Sequence, residues 1–327
     1  MTGIISSDGE KRLVLLTGRA HPDLATNVAT HLGIDLLPTT TYEFANGEIY
    51  TRFGESVRGA DTFVLQSHSS PINTWIMEQL LMVDALKRAS AKTITVVAPF
   101  YGYARQDKKH RGREPISARL VADLFKTAGA DRLITVDLHA DQIQGFFDGP
   151  VDHLMELPIL TDYVKQKYGD QQLAVVSPDA GRIKVAERWS ARLGGVPLAF
   201  IHKTRRIDVA NEVVANRVVG EVKGKICILT DDMIDTGGTI VKAAEACMAD
   251  GAAGVIIAAT HPILSDPAVD QLKNSSAMEV VVTNTLPVPA EKQFDKLTTL
   301  SIAPLIARAI REVFEDGSVT SMFDGHA

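Results

Sequence analysis

One segment of this sequence combines acidic, hydroxyl and glycine residues in an order that suits phosphate binding. Residues 231–239 read Asp-Asp-Met-Ile-Asp-Thr-Gly-Gly-Thr, between an apolar run at 226–229 and a stretch with helical spacing. Glycine and threonine at the start of a helix can direct backbone N–H groups and hydroxyls at one phosphate, which the helix dipole also favours. The sequence therefore predicts a cradle for a single phosphate. Its residues are Thr236, Gly237, Gly238 and Thr239.

The carboxylates beside this predicted cradle need a different role. A carboxylate next to a phosphate repels it unless the carboxylate faces a hydroxyl or a cation. Ribose hydroxyls and Mg²⁺ are both suitable partners for Asp231 and Asp232. An acidic turn that only caps the helix is the alternative, since Asp and Thr are favoured at helix starts. The pattern Gly-x-x-x-x-Gly-Lys-Ser/Thr does not occur in the sequence, which excludes Walker-type phosphate binding.

A second segment gathers positive charge in a chain that is acidic overall. Five Lys or Arg residues fall within the nine positions 105–113, directly after a predicted strand at 93–98, although the formal net charge is −6. A solvated basic loop is the alternative interpretation. The position favours function, because a polyphosphate bound at the carboxyl end of a sheet needs cations there.

Four weaker clusters also follow predicted strands or turns. They are Phe44 with Asn46-Gly47-Glu48, His139 after the strand at 132–136, Asp179 after the strand at 173–176, and 202–206 after the strand at 198–201. Judged by residue type alone, the segment at 44–48 is compatible with an ordinary turn and His139 with a structural histidine. The residues at 202–206 are compatible with a charge cluster that faces solvent.

The elements that must position these residues alternate between strand and helix. Short β-branched runs are each followed by a turn and then by apolar residues at helical spacing, which predicts parallel sheets covered by helices. Strands are predicted at 13–16, 62–65, 93–98, 132–136, 173–176, 198–201, 226–229 and 255–259. Helices are predicted at 22–32, 73–88, 116–127, 183–193, 239–248 and 304–313.

The two halves of the chain resemble each other at an offset of about 160 positions. Residues 13–17 match 173–177, and the strand at 62–65 matches 226–229. Residues 92–99 likewise match 254–262. We therefore predict a duplication, with one domain at 1–155 and a second at 156–327.

Composition limits the classes of function. The chain has 327 residues, with 34 Lys and Arg against 40 Asp and Glu, so no general attraction to nucleic acid or anionic membranes is expected. Cys227 and Cys247 lie in apolar segments without metal-ligand spacing and are predicted to be buried thiols. The polar start of the chain lacks an apolar signal core, which predicts a cytoplasmic protein.

Residues 231–239 resemble the phosphoribosyl-diphosphate-binding loop of type I phosphoribosyltransferase folds, in particular that of the ribose-phosphate diphosphokinase family. The likeness runs from about Thr17 to Phe323. It implies an α/β protein with two similar type I phosphoribosyltransferase-like domains, each a mainly parallel sheet flanked by helices. The corresponding segment of the first domain, 66–71, has no acidic pair and no glycine loop, so only the second domain is expected to bind the phosphoribosyl group.

The resemblance also implies residue roles. For ATP they are Phe44, Asn46, Gly47, Glu48, Arg105 and Gln106, with Phe44 stacking on adenine and a mobile lid after Gln106. For Mg²⁺ they are His139 and Asp179. For ribose 5-phosphate they are Arg205, Asp231, Asp232, Asp235, Thr236, Gly237, Gly238 and Thr239, and Lys203 and Arg205 are implied to be the catalytic cations. Two residues depart from the family's usual pattern: Asn46, where Asp is common, and Arg182, where a second glycine is common.

The reaction implied by this resemblance is diphosphate transfer from Mg–ATP to the anomeric hydroxyl of ribose 5-phosphate, which gives 5-phosphoribosyl 1-diphosphate and AMP for nucleotide biosynthesis. Relatives are hexamers built from dimers. A phosphoribosyltransferase is the first alternative, but one domain of about 200 residues suffices for it and leaves 105–113 unexplained. A non-catalytic regulatory homologue is the second.

Overall fold

The computed structural model describes residues 6–7, 11–204 and 215–323. The chain divides into two compact units. The first consists of Met1–Met155, Thr285–Pro287 and Ile302–Ala327. The second consists of Glu156–Asn284 and Val288–Ser301. The predicted division assigned all of 156–327 to the second domain, whereas in the structure the C-terminal segment belongs to the first unit.

The first unit is built on a mainly parallel sheet. Its strands are β1 (Ser6–Ser7), β2 (Lys11–Thr17), β3 (Thr39–Glu43), β4 (Ile49–Phe53), β5 (Asp61–Leu65), β6 (Thr93–Ala98), β7 (Arg132–Val136) and β8 (Val151–Leu154). Within the described residues the order in the sheet is β1-β2-β5-β6-β7-β8, with β1 antiparallel and the others parallel. Strands β3 and β4 form a separate antiparallel hairpin. Its helices are α1 (Pro22–Leu32), α2 (Ile72–Arg88) and α3 (Ser117–Ala128), with a short 3₁₀ helix at Asp141–Gly145.

The second unit repeats this plan. Its helices are α4 (Leu157–Tyr168), α5 (Ile183–Arg192), α6 (Gly238–Ala249) and α7 (Ala268–Lys273), with 3₁₀ turns at Ala180–Arg182 and Ala290–Lys292. Its strands are β9 (Leu173–Ser177), β10 (Leu198–Thr204), β11 (Ala215–Val219), β12 (Ile226–Ile234), β13 (Gly254–Pro262), β14 (Glu279–Thr283) and β15 (Leu297–Leu300). The described strands run in the order β11-β10-β9-β12-β13-β14-β15, and β11 is the antiparallel one.

Burial explains why the central strands form parallel sheets. Every residue of β5, β13 and β14 is buried, because helices cover both faces of each sheet. The order β2-β5-β6-β7-β8 in the first sheet corresponds to β9-β12-β13-β14-β15 in the second. The structure therefore has the α/β class with mainly parallel, helix-flanked sheets that the sequence predicts.

The last helix, α8 (Ala303–Phe314), packs against α1. Ile306 and Ile310 of α8 are fully buried, and Arg311 Nη2 lies 3.4 Å from the carbonyl oxygen of Leu32 at the end of α1. Lys11 forms an ion pair with Asp316, just beyond α8. These contacts are the physical reason why the C-terminal segment belongs to the first unit. A 3₁₀ helix, Val319–Phe323, follows.

None of the helices in the described part of the chain combines the length and the apolar character that spanning a membrane requires.

Candidate functional site

The glycine loop, residues 235–239, connects β12 to α6. Helix α6 begins at Gly238, and the preceding Gly237 has φ of 81°, in the left-handed region that favours glycine. The first N–H groups of an α-helix have no partner within the helix, so this end of α6 carries partial positive charge next to Thr236 and Thr239. The local structure therefore suits an anion.

The acid pair, Asp231 and Asp232, lies on strand β12, which extends beyond the strand predicted at 226–229. The strand continues to Ile234, because its ladder with the equally long β13 persists past the apolar run, with Asp231 opposite Ala259. The two carboxylates thus lie on the backbone of a central strand, near its carboxyl end, and two residues separate Asp232 from the glycine loop, which begins at Asp235.

Both carboxylates contact one arginine. Asp232 is only 3% exposed, and its Oδ1 forms an ion pair with Arg182 Nη2. Arg182 Nε lies 3.7 Å from Asp231 Oδ1, which also accepts the backbone N–H of Asp232 at 2.9 Å. Burial and the neighbouring Asp232 raise the pKa of Asp231 well above its usual value, an effect that Arg182 partly opposes.

Arg182 reaches the acid pair because β9 is the direct neighbour of β12 in the sheet. The turn after β9 begins at Asp179, whose Oδ1 accepts the N–H of Gly181 at 2.8 Å. Ser177 Oγ donates to the carbonyl oxygen of Asp179 at 2.6 Å. The turn from Asp179 to Arg182 and the acid pair therefore lie together at the carboxyl ends of two neighbouring strands of the second sheet.

The catalytic cations predicted by resemblance are described only in part. Lys203 belongs to β10, where its backbone lies opposite Asn216 of β11. The side chain of Lys203 and the whole of Arg205 lie outside the described residues. Their predicted roles therefore stay predictions.

In the first unit, the basic segment 105–113 is a loop with fixed ends. Buried Tyr101 donates its hydroxyl to the carbonyl oxygen of Ala118 at 2.9 Å. Gln106 accepts the Ala118 N–H on its carbonyl oxygen at 3.2 Å, and its side-chain oxygen accepts from Ser117 Oγ at 2.6 Å. Both Arg105 and Gln106 are exposed. The loop is thus anchored to the start of α3 at defined points while it presents its charges outward.

A buried histidine holds the start of this segment. His68 is 1% exposed; its Nδ1 accepts the N–H of Gly102 at 2.8 Å, and its Nε2 lies 2.8 Å from Gln79 Oε1. The amide nitrogen of Gln79 donates to the carbonyl oxygens of Val64 and Val97, so its oxygen is the acceptor for His68 Nε2–H. Burial lowers the pKa of His68 to about 4, which fixes a neutral imidazole.

The predicted adenine-binding residues lie at the tip of the β3–β4 hairpin. The N–H of Phe44 donates to the Glu48 carbonyl at 2.8 Å, and Gly47 has φ of 88°. The side-chain oxygen of Asn46 accepts the Glu48 N–H at 3.2 Å. Phe44 itself is 46% exposed and contacts Tyr42 edge-on, with ring centroids 5.4 Å apart. The segment is a turn, and it presents an aromatic face on which a planar base can stack.

His139 lies in a turn after β7 whose backbone is strained. The preceding Asp137 has φ of 45°, which is uncommon for a residue with a side chain. Buried His153 holds this turn, because its Nε2 accepts the N–H of Leu138 at 2.8 Å. Gln142, in the following 3₁₀ helix, donates to buried Asp107 of the basic segment. The basic segment and the His139 turn are therefore linked within the first unit.

The described residues contain no group of three or more His, Cys, Asp or Glu side chains that could hold a metal ion. A carboxylate with one oxygen engaged still has a second that can bind a cation, so Asp179 fits Mg²⁺, which prefers oxygen ligands and retains waters. The imidazole of His139 is chemically a poorer match to that cation.

Sequence reasoning missed three contacts around the predicted site residues. These are the bridge from Arg182 to the acid pair, the support of the His139 turn by His153, and the link from Asp107 to Gln142. Of these residues only Arg182 carried a signal, as a charge where a glycine is common.

The fold and the site define a class: a two-unit α/β protein with phosphoribosyltransferase-like sheets, whose second unit carries an acid pair beside a glycine loop at a helix start. Residues 13–129 match the family model described as the N-terminal domain of ribose phosphate pyrophosphokinase. Residues 195–324 match the model of the phosphoribosyl synthetase-associated domain.

Individual relatives agree with these family matches. The chain is 66% identical over 324 residues to a ribose-phosphate pyrophosphokinase of Streptomyces coelicolor, covering 99% of each chain. It is 64% identical over 321 residues to that of Mycobacterium leprae, covering 98% of each. The crystal structure of phosphoribosylpyrophosphate synthetase from Mycobacterium smegmatis superposes with a TM-score of 0.89 at 64% identity, covering 93% of this chain and 99% of that one. The chain belongs to the ribose-phosphate pyrophosphokinase family.

Proposed function

We propose that this enzyme transfers the diphosphate of Mg–ATP to the anomeric hydroxyl of ribose 5-phosphate, releasing AMP and 5-phosphoribosyl 1-diphosphate. The observation that carries the proposal is an acid pair on β12 followed directly by a glycine loop at a helix start, in a chain related over its full length to ribose-phosphate pyrophosphokinases. A phosphoribosyltransferase is not favoured, because the relatives that match over the full length are named ribose-phosphate pyrophosphokinase.

The sugar phosphate binds the second unit in this proposal. The 5-phosphate lies against the glycine loop, held by Asp235, Thr236, Gly237, Gly238 and Thr239, where the N-terminus of α6 supplies N–H donors. The acid pair accepts hydrogen bonds from two ribose hydroxyls. Carboxylates on a rigid strand fix the sugar, so that its anomeric hydroxyl has a defined direction.

ATP uses residues of the first unit in this proposal. The exposed ring of Phe44 stacks on adenine, and Asn46, Gly47 and Glu48 line the edge of the base. Because the Asn46 oxygen already accepts a backbone N–H, its amide NH₂ is the group that can still donate to adenine. Arg105 and Gln106, at the start of the basic segment, contact the phosphates.

Mg²⁺ is the proposed cofactor, with Asp179 and His139 as its protein ligands and substrate oxygens and waters as the others. When bound, it neutralises charge on the transferred phosphoryl groups. Lys203 and Arg205 are the proposed cations that bind charge developing in the transition state, and Arg205 also contacts ribose 5-phosphate. Phosphoryl-type transfer depends mainly on positioning and charge neutralisation, so no covalent enzyme intermediate is required.

From family membership we further propose a hexameric, cytoplasmic enzyme whose substrates are small molecules and whose function involves neither nucleic acid nor membrane. The net charge of −6 is consistent with the last two points.

The test is to mix the purified protein with Mg–ATP and ribose 5-phosphate and to separate the nucleotides over time. We expect AMP only when ribose 5-phosphate is present; ADP would indicate ordinary kinase chemistry and contradict the proposal.

Lys203→Ala should lower kcat roughly 100-fold or more, as removal of a transition-state donor does. The exposed Lys223, in the same unit, offers a matched control: Lys223→Ala should leave kcat unchanged. Normal turnover in Lys203→Ala would refute its role.

A further inference from the structure

We propose that Arg182 is an internal counter-ion of the acid pair that ribose 5-phosphate must displace, and that this displacement sets the enzyme's requirement for both sugar hydroxyls. This inference rests on the proposed function, because it takes Asp231 and Asp232 as the ribose-binding carboxylates.

The geometry makes the guanidinium a direct competitor for the carboxylate oxygens. Arg182 Nη2 pairs with Asp232 Oδ1, and its Nε lies 3.7 Å from Asp231 Oδ1. Its side chain is only 15% exposed, so the contact is shielded from solvent. A guanidinium donates several N–H hydrogen bonds in one plane, and two neighbouring sugar hydroxyls can likewise donate two O–H hydrogen bonds side by side. The sugar and the arginine therefore compete for the same carboxylate oxygens.

An empty acid pair needs such a counter-ion. Two adjacent carboxylates repel each other, and Asp232 is almost fully buried, where an unpaired charge is costly. Arg182 offsets both costs in the absence of substrate. Releasing it then requires a ligand that satisfies both carboxylates at once.

An arginine that follows the matching strand in the first unit has a different environment. Arg19 follows β2, the counterpart of β9, and its Nε donates to Glu78 at 2.6 Å while an Nη donates to Glu43 at 2.9 Å. Those carboxylates lie on α2 and β3, and Arg19 also covers the ring of Trp75 at 5.5 Å. That arginine connects structural elements. Arg182 instead contacts carboxylates that precede an anion-binding loop.

The consequence is selectivity for hydroxyl pairs. Ribose 5-phosphate replaces both contacts that Arg182 makes with the acid pair, whereas 2-deoxyribose 5-phosphate lacks one hydroxyl and so replaces one of them less well. Without the arginine, water reaches the acid pair, so a missing hydroxyl matters less. Arg182 thus acts as a specificity-determining residue through the acid pair, without touching the reacting atoms.

The test measures the dissociation constants of ribose 5-phosphate and 2-deoxyribose 5-phosphate by titration calorimetry on the full chain, for wild type and Arg182→Gln. We expect Arg182→Gln to bind ribose 5-phosphate roughly tenfold more tightly, because a charge-assisted contact no longer has to be broken. We also expect the ratio of the two constants to fall several-fold. A purely structural arginine would give weaker binding and an unchanged ratio.

Arg192→Gln is the matched control. Arg192 is the last residue of α5, the helix that begins directly after Arg182, but it contacts Thr161 and Asp162. It should leave both dissociation constants unchanged.

If Arg182→Gln does not fold, Arg182→Lys is the second variant. A single ammonium bridges Asp231 and Asp232 less well than a guanidinium, so this variant should also bind ribose 5-phosphate more tightly. Equal or weaker binding in the folded variant overturns the inference. Absence of ribose 5-phosphate binding by wild type would instead overturn the proposed function, and this inference with it.

Discussion

The buried His68 network gives a sharp expectation for stability against pH. Burial lowers the pKa of His68 to about 4 in the folded protein, from an ordinary value of 6.5. The unfolded chain therefore binds a proton below pH ~6.5 that the folded protein does not bind until pH ~4. Because the unfolded state takes up more protons, this stabilisation is present above pH ~6.5 and is lost as pH falls towards ~4.

The magnitude follows from the two pKa values. One unit corresponds to about 1.4 kcal/mol, so the full loss is about 3 kcal/mol, of which about 2 kcal/mol is lost between pH 7 and pH 5. The substitution His68→Asn keeps an acceptor for the Gly102 N–H but removes the titrating ring. At pH 7 it should cost about 1–3 kcal/mol, since Gln79 Oε1 loses its donor.

The assay is urea unfolding of wild type and His68→Asn at pH 7, 6 and 5. The stability advantage of the wild type over the variant should shrink by about 2 kcal/mol across this range. His31→Asn, which removes an exposed histidine from α1, controls for the loss of one imidazole. An advantage that stays constant from pH 7 to pH 5 would refute the assignment of a neutral, buried His68.

Three further expectations follow from the second unit. Gly237→Ala should lower the free energy of unfolding by about 1–2 kcal/mol because of its left-handed φ of 81°, whereas Gly112→Ala, with open space around it, should change it little in the same urea titration. Asp232→Asn should weaken ribose 5-phosphate binding roughly tenfold or more by calorimetry, and unchanged affinity would contradict its role. Burial opposes ionisation of Glu279, but hydrogen bonds from Lys167, Thr298 and two tyrosines outweigh it and lower its pKa to about 2. The wild type's stability advantage over Glu279→Gln should therefore be present above pH ~4.5 and disappear as pH falls towards ~2, which acid unfolding of both proteins measures.

Much of the fold follows from local sequence. The central strands are mostly apolar because both of their faces are buried, and such segments are recognisable in the sequence. Helix α1 has the predicted bounds, since Pro22 begins it and Gly33, with φ of 75°, ends it. The hairpin β3–β4 is not evident in sequence because none of its residues is buried, so its apolar alternation is weak.

Long-range packing decides the rest. The amphipathic pattern of α8 predicts a helix but not which core it joins, and only its contacts with α1 assign it to the first unit. The acid pair was identifiable from its residue types, yet the length of β12 depends on pairing with β13. The bridge from Arg182 depends on β9 and β12 being neighbours, which no local pattern encodes.

The most direct test of the proposed reaction follows the β-phosphorus of ATP. We would incubate the enzyme with Mg²⁺, ribose 5-phosphate and ATP that is radiolabelled at the β-phosphorus, and then separate sugar phosphates from nucleotides. Diphosphate transfer moves the label into the sugar product and leaves unlabelled AMP. Label retained in ADP, or in ATP without turnover, would contradict the assignment of this chain as a diphosphate-transferring enzyme.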